Sequence, residues 1–395
     1  MARIGIYGGT FNPPHIGHIC AAECALRALA LDKLLLIPDR IAPHKVMPTG
    51  TPSPAQRLEM VCLGARQIRD DRVEVTDIEL KRDGPSYTYQ TIAELRQQYP
   101  KDSLYLLVGT DMFLSFQNWK NAEKIWSDVI LAVFYRGEPS EIEKIQAHKA
   151  LMESLGAKVE LVENPVVDIS STQLRRMLVF GCADSFLPEG VGEYIRERGL
   201  YDTAEDYKNL PLERLEQVVS GLLKPNRVAH VLGCRDTAVE LAKLWGADET
   251  DAARAGLLHD ITKALDGPLQ LTLCRDYGIL LDTFSTENPK TLHALTGSLV
   301  ADRIFGENEA VVAAIRSHTT GKASMNTLEK IIYVADYMEP NRNFPGVEEL
   351  RRLAYTDLDA ALKLGLTMTL EMLKKQGSEI SPASREALAF LNQTL

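Results

Sequence analysis

The stretch Arg3-Ile4-Gly5-Ile6-Tyr7-Gly8-Gly9-Thr10-Phe11-Asn12-Pro13-Pro14-His15-Ile16-Gly17-His18 decides the fold of the first half of the chain. Its apolar run reads as a strand through Tyr7, the glycines break it, and a helical pattern starts near Gly17. Glycines at such a turn let backbone N–H groups approach a ligand closely. The helix start adds unpaired donors and partial positive charge. The turn therefore reads as a phosphate site, although neither GxxxxGK[ST] nor GxGxxG is present.

Outward from this turn, strand and helix patterns alternate. Strands are expected at Lys33–Ile37, Val73–Val75, Leu104–Val108 and Val129–Phe134, and helices at 17–30, 54–69, 88–98 and 119–125. That alternation implies an α/β fold with a Rossmann-like, doubly wound parallel sheet and a site at the C-terminal ends of its strands. From about residue 205 only helical patterns recur, at 212–223, 227–245, 249–259, 291–305, 308–318, 326–337 and 356–375. The expected architecture is the α/β domain over 1–203 followed by an all-α domain over 204–395, divided in the polar segment Gly199–Asp206.

A length of 395 residues exceeds the usual single core, and 45% hydrophobic with 25% charged residues is ordinary globular composition. A net charge of −10 argues against broad attraction to nucleic acid or anionic membrane. The six cysteines form no CxxC pair and suit a reducing compartment. No secretory signal or run of about 18 apolar residues is seen. A cytoplasmic protein without nucleic-acid or membrane partners is expected; a homo-oligomer is compatible with these patterns.

His15 and His18 admit three readings. A metal site would want further ligands in the same loop, and none is there. Rings satisfied by backbone are the ordinary fate of a lone histidine. The HxGH spacing beside Gly8-Gly9-Thr10 instead favours phosphate binding. A second helix start, Ile169-Ser170-Ser171-Thr172-Gln173-Leu174-Arg175, offers Ser and Thr donors with a forked cation one turn in.

Together these two pieces resemble the HxGH nucleotidyltransferases and their ISSTxxR pattern. Residues 1–201 resemble the nicotinate-nucleotide adenylyltransferases throughout, in Pro43-His44-Lys45, Gly84-Pro85-Ser86-Tyr87-Thr88, Gly109-Thr110-Asp111-Met112-Phe113, Asn118-Trp119-Lys120 and the closing Tyr194–Tyr201. The resemblance implies ATP, entering with Mg²⁺, and nicotinate mononucleotide as substrates, with pyrophosphate released. It implies that Trp119 stacks on the pyridine ring, that Thr88 lies near the acceptor, and that Gly109 and Asp111 lie near the adenosine. The expected catalytic groups are His18, His15, Lys45 and Arg175, and the expected substrate contacts include Gly8, Gly9, Thr10, Phe11, Ser171 and Thr172. Gln90 stands where the family commonly has an acid.

In the second half, His230, His259-Asp260, His293, His318 and Asp336 follow in the order H, HD, H, H, D, each near a predicted helix. Imidazoles with carboxylates suit first-row divalent metals, and the ligands suffice for two ions. Phosphate hydrolysis is the chemistry such a centre supports. This half resembles the HD-domain phosphohydrolases, and more narrowly the bacterial branch that cleaves diadenosine tetraphosphate into two ADP. The pieces are Arg227–His230, Ala255–Lys263, His293-Ala294, His318–Gly321 and Tyr333–Arg342. The resemblance implies a dinucleoside polyphosphate substrate, Fe or alternatively Mn, Co or Zn as the metal, Asp260 as a catalytic ligand, and Lys263 and Arg342 as phosphate contacts. Two alternatives stand beside these readings: another phosphorylated acceptor in the first half, and a nucleotide sensor without turnover in the second.

Overall fold

A computed structural model of the chain describes all residues except 44–45, 138, 165–168 and 395. It divides into two compact units, Met1–Glu205 and Asp206–Leu395.

The first unit contains strands β1 (Arg3–Gly9), β2 (Lys33–Pro38), β3 (Val73–Val75), β4 (Ser103–Gly109), β5 (Ile130–Tyr135) and β6 (Lys158–Glu163). They form one sheet in the order β3-β2-β1-β4-β5-β6, every pair parallel. Parallel strands covered on both faces read as continuous apolar runs, and side chains alternate between the faces. In β4, Leu104, Leu106 and Val108 join Ile92 and Phe113 in one core, whereas Tyr105 and Leu107 join Ala22 and Leu26 in the other. The flanking helices are α1 (Ile16–Ala28), α2 (Pro54–Arg66), α3 (Thr88–Gln98), α4 (Thr110–Leu114), α5 (Ala122–Trp126), α6 (Pro139–Ser154), α7 (Ser171–Val179) and α8 (Val191–Glu197). The strand order reverses between β1 and β4, which opens a crevice beyond their C-terminal ends.

The second unit is helical: α9 (Leu212–Leu222), α10 (Pro225–Trp245), α11 (Glu249–Leu258), α12 (Gly267–Asp276), α13 (Thr283–Glu287), α14 (Leu292–Arg303), α15 (Glu309–Ser317), α16 (Thr327–Met338), α17 (Val347–Ala354), α18 (Leu358–Lys375) and α19 (Pro382–Thr394). Side chains of Asp248, Asp266, Asn308, Asn326 and Asp357 accept from first-turn N–H groups and fix where these helices start. Gly256 lets α11 lie close on α10, since a Cβ there would stand 2.7 Å from Arg235 Cα. Among the described residues, no helix is long and apolar enough to cross a membrane.

Candidate functional site

Two cavities open over the crevice of the first unit. One, of 670 Å³, is lined by His15, His18, Gly109 and Asp111. The other, of 280 Å³, is lined by Gly8, Gly9, Thr10, Thr88, Gly109 and Trp119. Both are lined by Tyr7, Leu107, Val108, Gly109 and Met112, so they abut over the ends of β1 and β4. Trp119 is half-buried, its ring 4.7 Å from that of Phe116. Gln90 is exposed and lines neither cavity.

His15 precedes α1, and its backbone N–H donates to His18 Nδ1 at 3.0 Å. A backbone N–H can only donate, so Nδ1 of His18 carries the lone pair and the ring proton sits on Nε2. The two imidazoles lie 3.6 Å apart at their centroids. Burial pushes His15 down to about 4, which keeps it neutral near pH 7. Phe11 lines neither cavity; it is buried, and its ring packs on His18 at 5.0 Å.

Of the three residues expected at phosphate, Ser171 and Arg175 are engaged with the turn after β1, and Thr172 with Arg175. Ser171 Oγ donates to Pro13 O at 3.0 Å, and Arg175 Nη1 to Asn12 O at 2.7 Å. Arg175 Nη2 donates to Thr172 Oγ1 at 3.1 Å. In this arrangement α7 braces the HxGH turn from residues more than 150 positions away in sequence. Lys45 lies outside the described residues.

Sequence reading missed Arg57 and Asp39. Arg57 of α2 is 1% exposed and donates to Thr10 O at 2.7 Å, Asp39 Oδ1 at 3.0 Å, Asp39 O at 2.8 Å and Arg40 O at 3.0 Å. Thr10 Oγ1 donates to Asp39 Oδ2 at 2.8 Å. One buried guanidinium thus ties the segment after β2 to the turn after β1. No local pattern announces such a contact.

In the second unit, the six residues expected to bind metal converge. Asp260 follows His259 at the end of α11 and is buried, with its two oxygens facing different histidines. Oδ2 lies 3.8 Å from His230 Nε2 and 3.5 Å from His259 Nε2. Oδ1 lies 3.5 Å from His293 Nε2 and 3.9 Å from His318 Nε2. Asp336, in the last turn of α16, brings Oδ1 to 3.1 Å from His230 Nε2 and 3.8 Å from His259 Nε2.

Every imidazole is oriented through Nδ1. His259, His293 and His318 donate from it to the carbonyls of Gly256, Lys290 and Ile315 at 2.8, 2.9 and 2.6 Å. His230 donates to Glu339 Oε1 at 3.0 Å. Carbonyls and carboxylates accept only, so the Nε2 atoms turn toward the cluster, as in metal ligands held by outer hydrogen bonds. Glu339 is 1% exposed, and a Cβ on Gly233 would stand 2.4 Å from its Oε2, so α10 needs a glycine there.

The donor set fits a divalent metal. Asp260 Oδ1 is buried without a hydrogen-bond partner. Burial lowers His293 to about 3 and His318 to about 4, leaving neutral imidazoles. Burial also opposes charge on His259, yet Cys234 and Asp260 override it and raise that group well above the usual imidazole range. The cluster thus draws positive charge. Three cations ring it: Arg227 Nε donates to Asp260 Oδ2 at 2.6 Å, Arg342 Nη2 to Asp336 Oδ1 at 2.6 Å, and Lys263 Nζ to His293 Nε2 at 2.9 Å. All three line an 860 Å³ cavity with His293, His318 and Asp336.

A nucleotide-sized crevice at the switch point of a parallel sheet and a buried His/Asp cluster among helices define a nucleotidyltransferase-like unit joined to an HD unit. The family models agree: residues 6–177 match Cytidylyltransferase-like and residues 227–341 match HD domain. The chain is 35% identical over 202 residues, 51% of its length and 100% of the relative's, to the probable nicotinate-nucleotide adenylyltransferase of Exiguobacterium sibiricum. It is 42% identical over 180 residues, 45% of its length and 94% of the relative's, to the symmetrical bis(5'-nucleosyl)-tetraphosphatase of Halalkalibacterium halodurans. A solved structure, a predicted HD superfamily hydrolase involved in NAD metabolism from Clostridium acetobutylicum, matches 47% of this chain and 99% of its own at 36% identity and a TM-score of 0.46. The chain belongs to the nicotinate-nucleotide adenylyltransferase family through its first unit and to the HD-domain family through its second.

Proposed function

We propose that the first unit transfers the adenylyl group of ATP to nicotinate mononucleotide, giving deamido-NAD and pyrophosphate. The observation that carries this is the pair of abutting cavities, one beside His15, His18 and Asp111 and the other beside Thr88 and Trp119. A phosphate of the mononucleotide, with a second pKa of about 6, is already ionised near neutral pH, so its oxygen attacks the α-phosphorus of ATP without a general base. The chain's task is to align two anions and stabilise charge on the departing pyrophosphate. His18, with its proton on Nε2, donates to the reacting phosphates. His15, Thr10 and the α1 start support that donor. Asp111 lies on the ATP side, Trp119 on the acceptor side, and Gly109 lines both. Arg175 supports the site through the turn it holds, and Lys45, outside the described residues, is proposed as a further phosphate-binding cation from its place in the sequence motif alone.

For the second unit we propose metal-dependent hydrolysis of dinucleoside polyphosphates or related nucleotides. Asp260 is the central support, because its two oxygens face two separate histidine pairs. His230, His259, Asp260 and Asp336 would hold one ion; Asp260, His293 and His318 a second. Such ions, Fe or alternatively Mn, Co or Zn, supply Lewis acidity and an activated water. Arg227, Lys263 and Arg342 neutralise phosphate oxygens in the adjoining cavity, and Glu339 fixes the His230 ring.

Product analysis of the full chain tests both readings. With ATP and either nicotinate or nicotinamide mononucleotide, deamido-NAD is expected to form faster than NAD. Transfer only to another phosphorylated acceptor overturns the first reading. With diadenosine tetraphosphate and Fe, Mn, Co or Zn, two ADP are expected. Stoichiometric metal binding without cleavage of any nucleotide replaces hydrolysis by sensing.

A further inference from the structure

The cavity beside the HD cluster has two kinds of lining. Arg227, Lys263 and Arg342 suit phosphate, whereas Tyr337, Phe344, Met368 and Met372, from α16, the following turn and α18, present an apolar wall, with Glu371 and Gln376 also in the lining. Tyr337 and Phe344 meet edge to face with centroids 5.4 Å apart. Thr369 Oγ1 donates to the Tyr337 hydroxyl at 3.0 Å, so α18 fixes that ring. Met372 is 46% exposed.

Phosphate chemistry has no use for such a wall. Aromatic and methionine surface that continues directly from a cationic, metal-ligating cluster is suited to a ligand with anions at one end and a flat apolar group at the other. We infer that Tyr337, Phe344, Met368 and Met372 form the seat of a nucleobase, held by stacking and dispersion, for the nucleotide whose phosphates face Arg227 and Arg342. None of the four carries an amide or carboxylate, so they hold the base by its face, while Glu371 and Gln376, which line the same cavity, are the groups able to meet a base edge. This inference rests on the phosphohydrolase reading of the second unit and adds the substrate's non-reacting end.

The test compares the full-length wild type with Phe344→Ala and the surface variant Met372→Ala. Each substrate, diadenosine tetraphosphate or linear inorganic tetraphosphate, is supplied with added Mn²⁺. Losing a stacking partner is expected to raise KM for the dinucleotide about tenfold while inorganic tetraphosphate changes less than about twofold. Equal effects on both substrates, or none on either, overturn the seat. Photolabelling of the wild type with 8-azido-ADP, followed by peptide mapping, needs neither turnover nor a folded variant. Second-unit label within residues 333–376 supports the seat, and second-unit label elsewhere, or none, overturns it. Absence of any hydrolysis by the wild type would instead remove the phosphohydrolase reading, and the mapping would still judge the seat.

Discussion

His18→Asn separates the two jobs of His18. The asparagine Oδ1 falls near the place of Nδ1 and can still accept the His15 N–H, now 3.0 Å from that nitrogen, so the start of α1 is kept. Nothing in asparagine reaches the place of Nε2, so the donor to phosphate is lost. Removing one preorganised donor aimed at developing charge costs about 10²–10³ in kcat, or about 2.7–4 kcal/mol. Because the interaction strengthens in the transition state, KM for ATP should stay within about threefold. His18→Gln places an amide N–H near Nε2 and should recover about tenfold over the asparagine variant. Continuous pyrophosphate release, with ATP and nicotinate mononucleotide varied in turn, reads both constants. A His18→Asn enzyme with wild-type kcat, or one whose whole loss lies in KM, refutes the donor role.

Arg57→Met should cost about 3–5 kcal/mol, because it leaves Asp39 without its buried partner, and lower the thermal midpoint of the first unit by on the order of 10 °C. Calorimetry checks the midpoint, and a rise in KM for the acceptor should accompany it in the stable Arg57→Lys variant. Glu339→Gln keeps an acceptor for His230 but removes the charge behind it, so metal affinity measured by chelator competition should fall about 10–100-fold. His15 is held at about 4 in the fold against about 6.5 unfolded, so its contribution is complete above the unfolded value and is lost as pH falls toward the folded one. Relative to His15→Asn in chemical denaturation, the wild type should lose about 2 kcal/mol between about pH 7.5 and about pH 5; a constant difference would contradict the burial argument.

What could be read directly from sequence was local. The strand, turn and helix around Gly8-Gly9 follow from neighbouring residues, and the continuous apolar runs of β2 and β4 follow from burial on both faces. The sheet is the doubly wound, parallel one those runs imply. β6 was missed because an edge strand such as KVELVE carries charge and buries only Val159 and Val162. α6 was missed because its deeply buried residues, Ile145 and Met152, are two turns apart and leave little periodic signal. α12, α17 and α19 also escaped the sequence reading; α17, for one, is only eight residues long and half charged. The HD residues were legible as types at recognisable positions. The division of Asp260 between two histidine pairs, and the roles of Arg57 and Glu339, depend on tertiary contacts that no spacing encodes.

The two sets of histidines differ in which nitrogen the backbone engages, and that difference assigns them opposite chemistry. At His18 a backbone N–H occupies Nδ1, which leaves Nε2 protonated and able to donate to an anion. At His259, His293 and His318 a carbonyl three residues earlier occupies Nδ1, which places the proton there and turns Nε2 toward the carboxylates as a candidate ligand atom. The first arrangement arises because His18 lies in the first turn of α1, where N–H groups lack partners. The second arises because His259 and His318 stand at the ends of α11 and α15, where carbonyls lack them, and because His293 follows the short turn ending at Thr291. Nitrogen-15 spectra of histidine-labelled protein at neutral pH in a chelator should therefore show His18 with a bare Nδ1 and a protonated Nε2, and His318 with the reverse. Assignment comes from His18→Asn and His318→Asn. Observation of the same tautomer at both positions would mean that the backbone does not set the ring proton, and would remove the basis for treating one histidine as a phosphate donor and the other as a metal ligand.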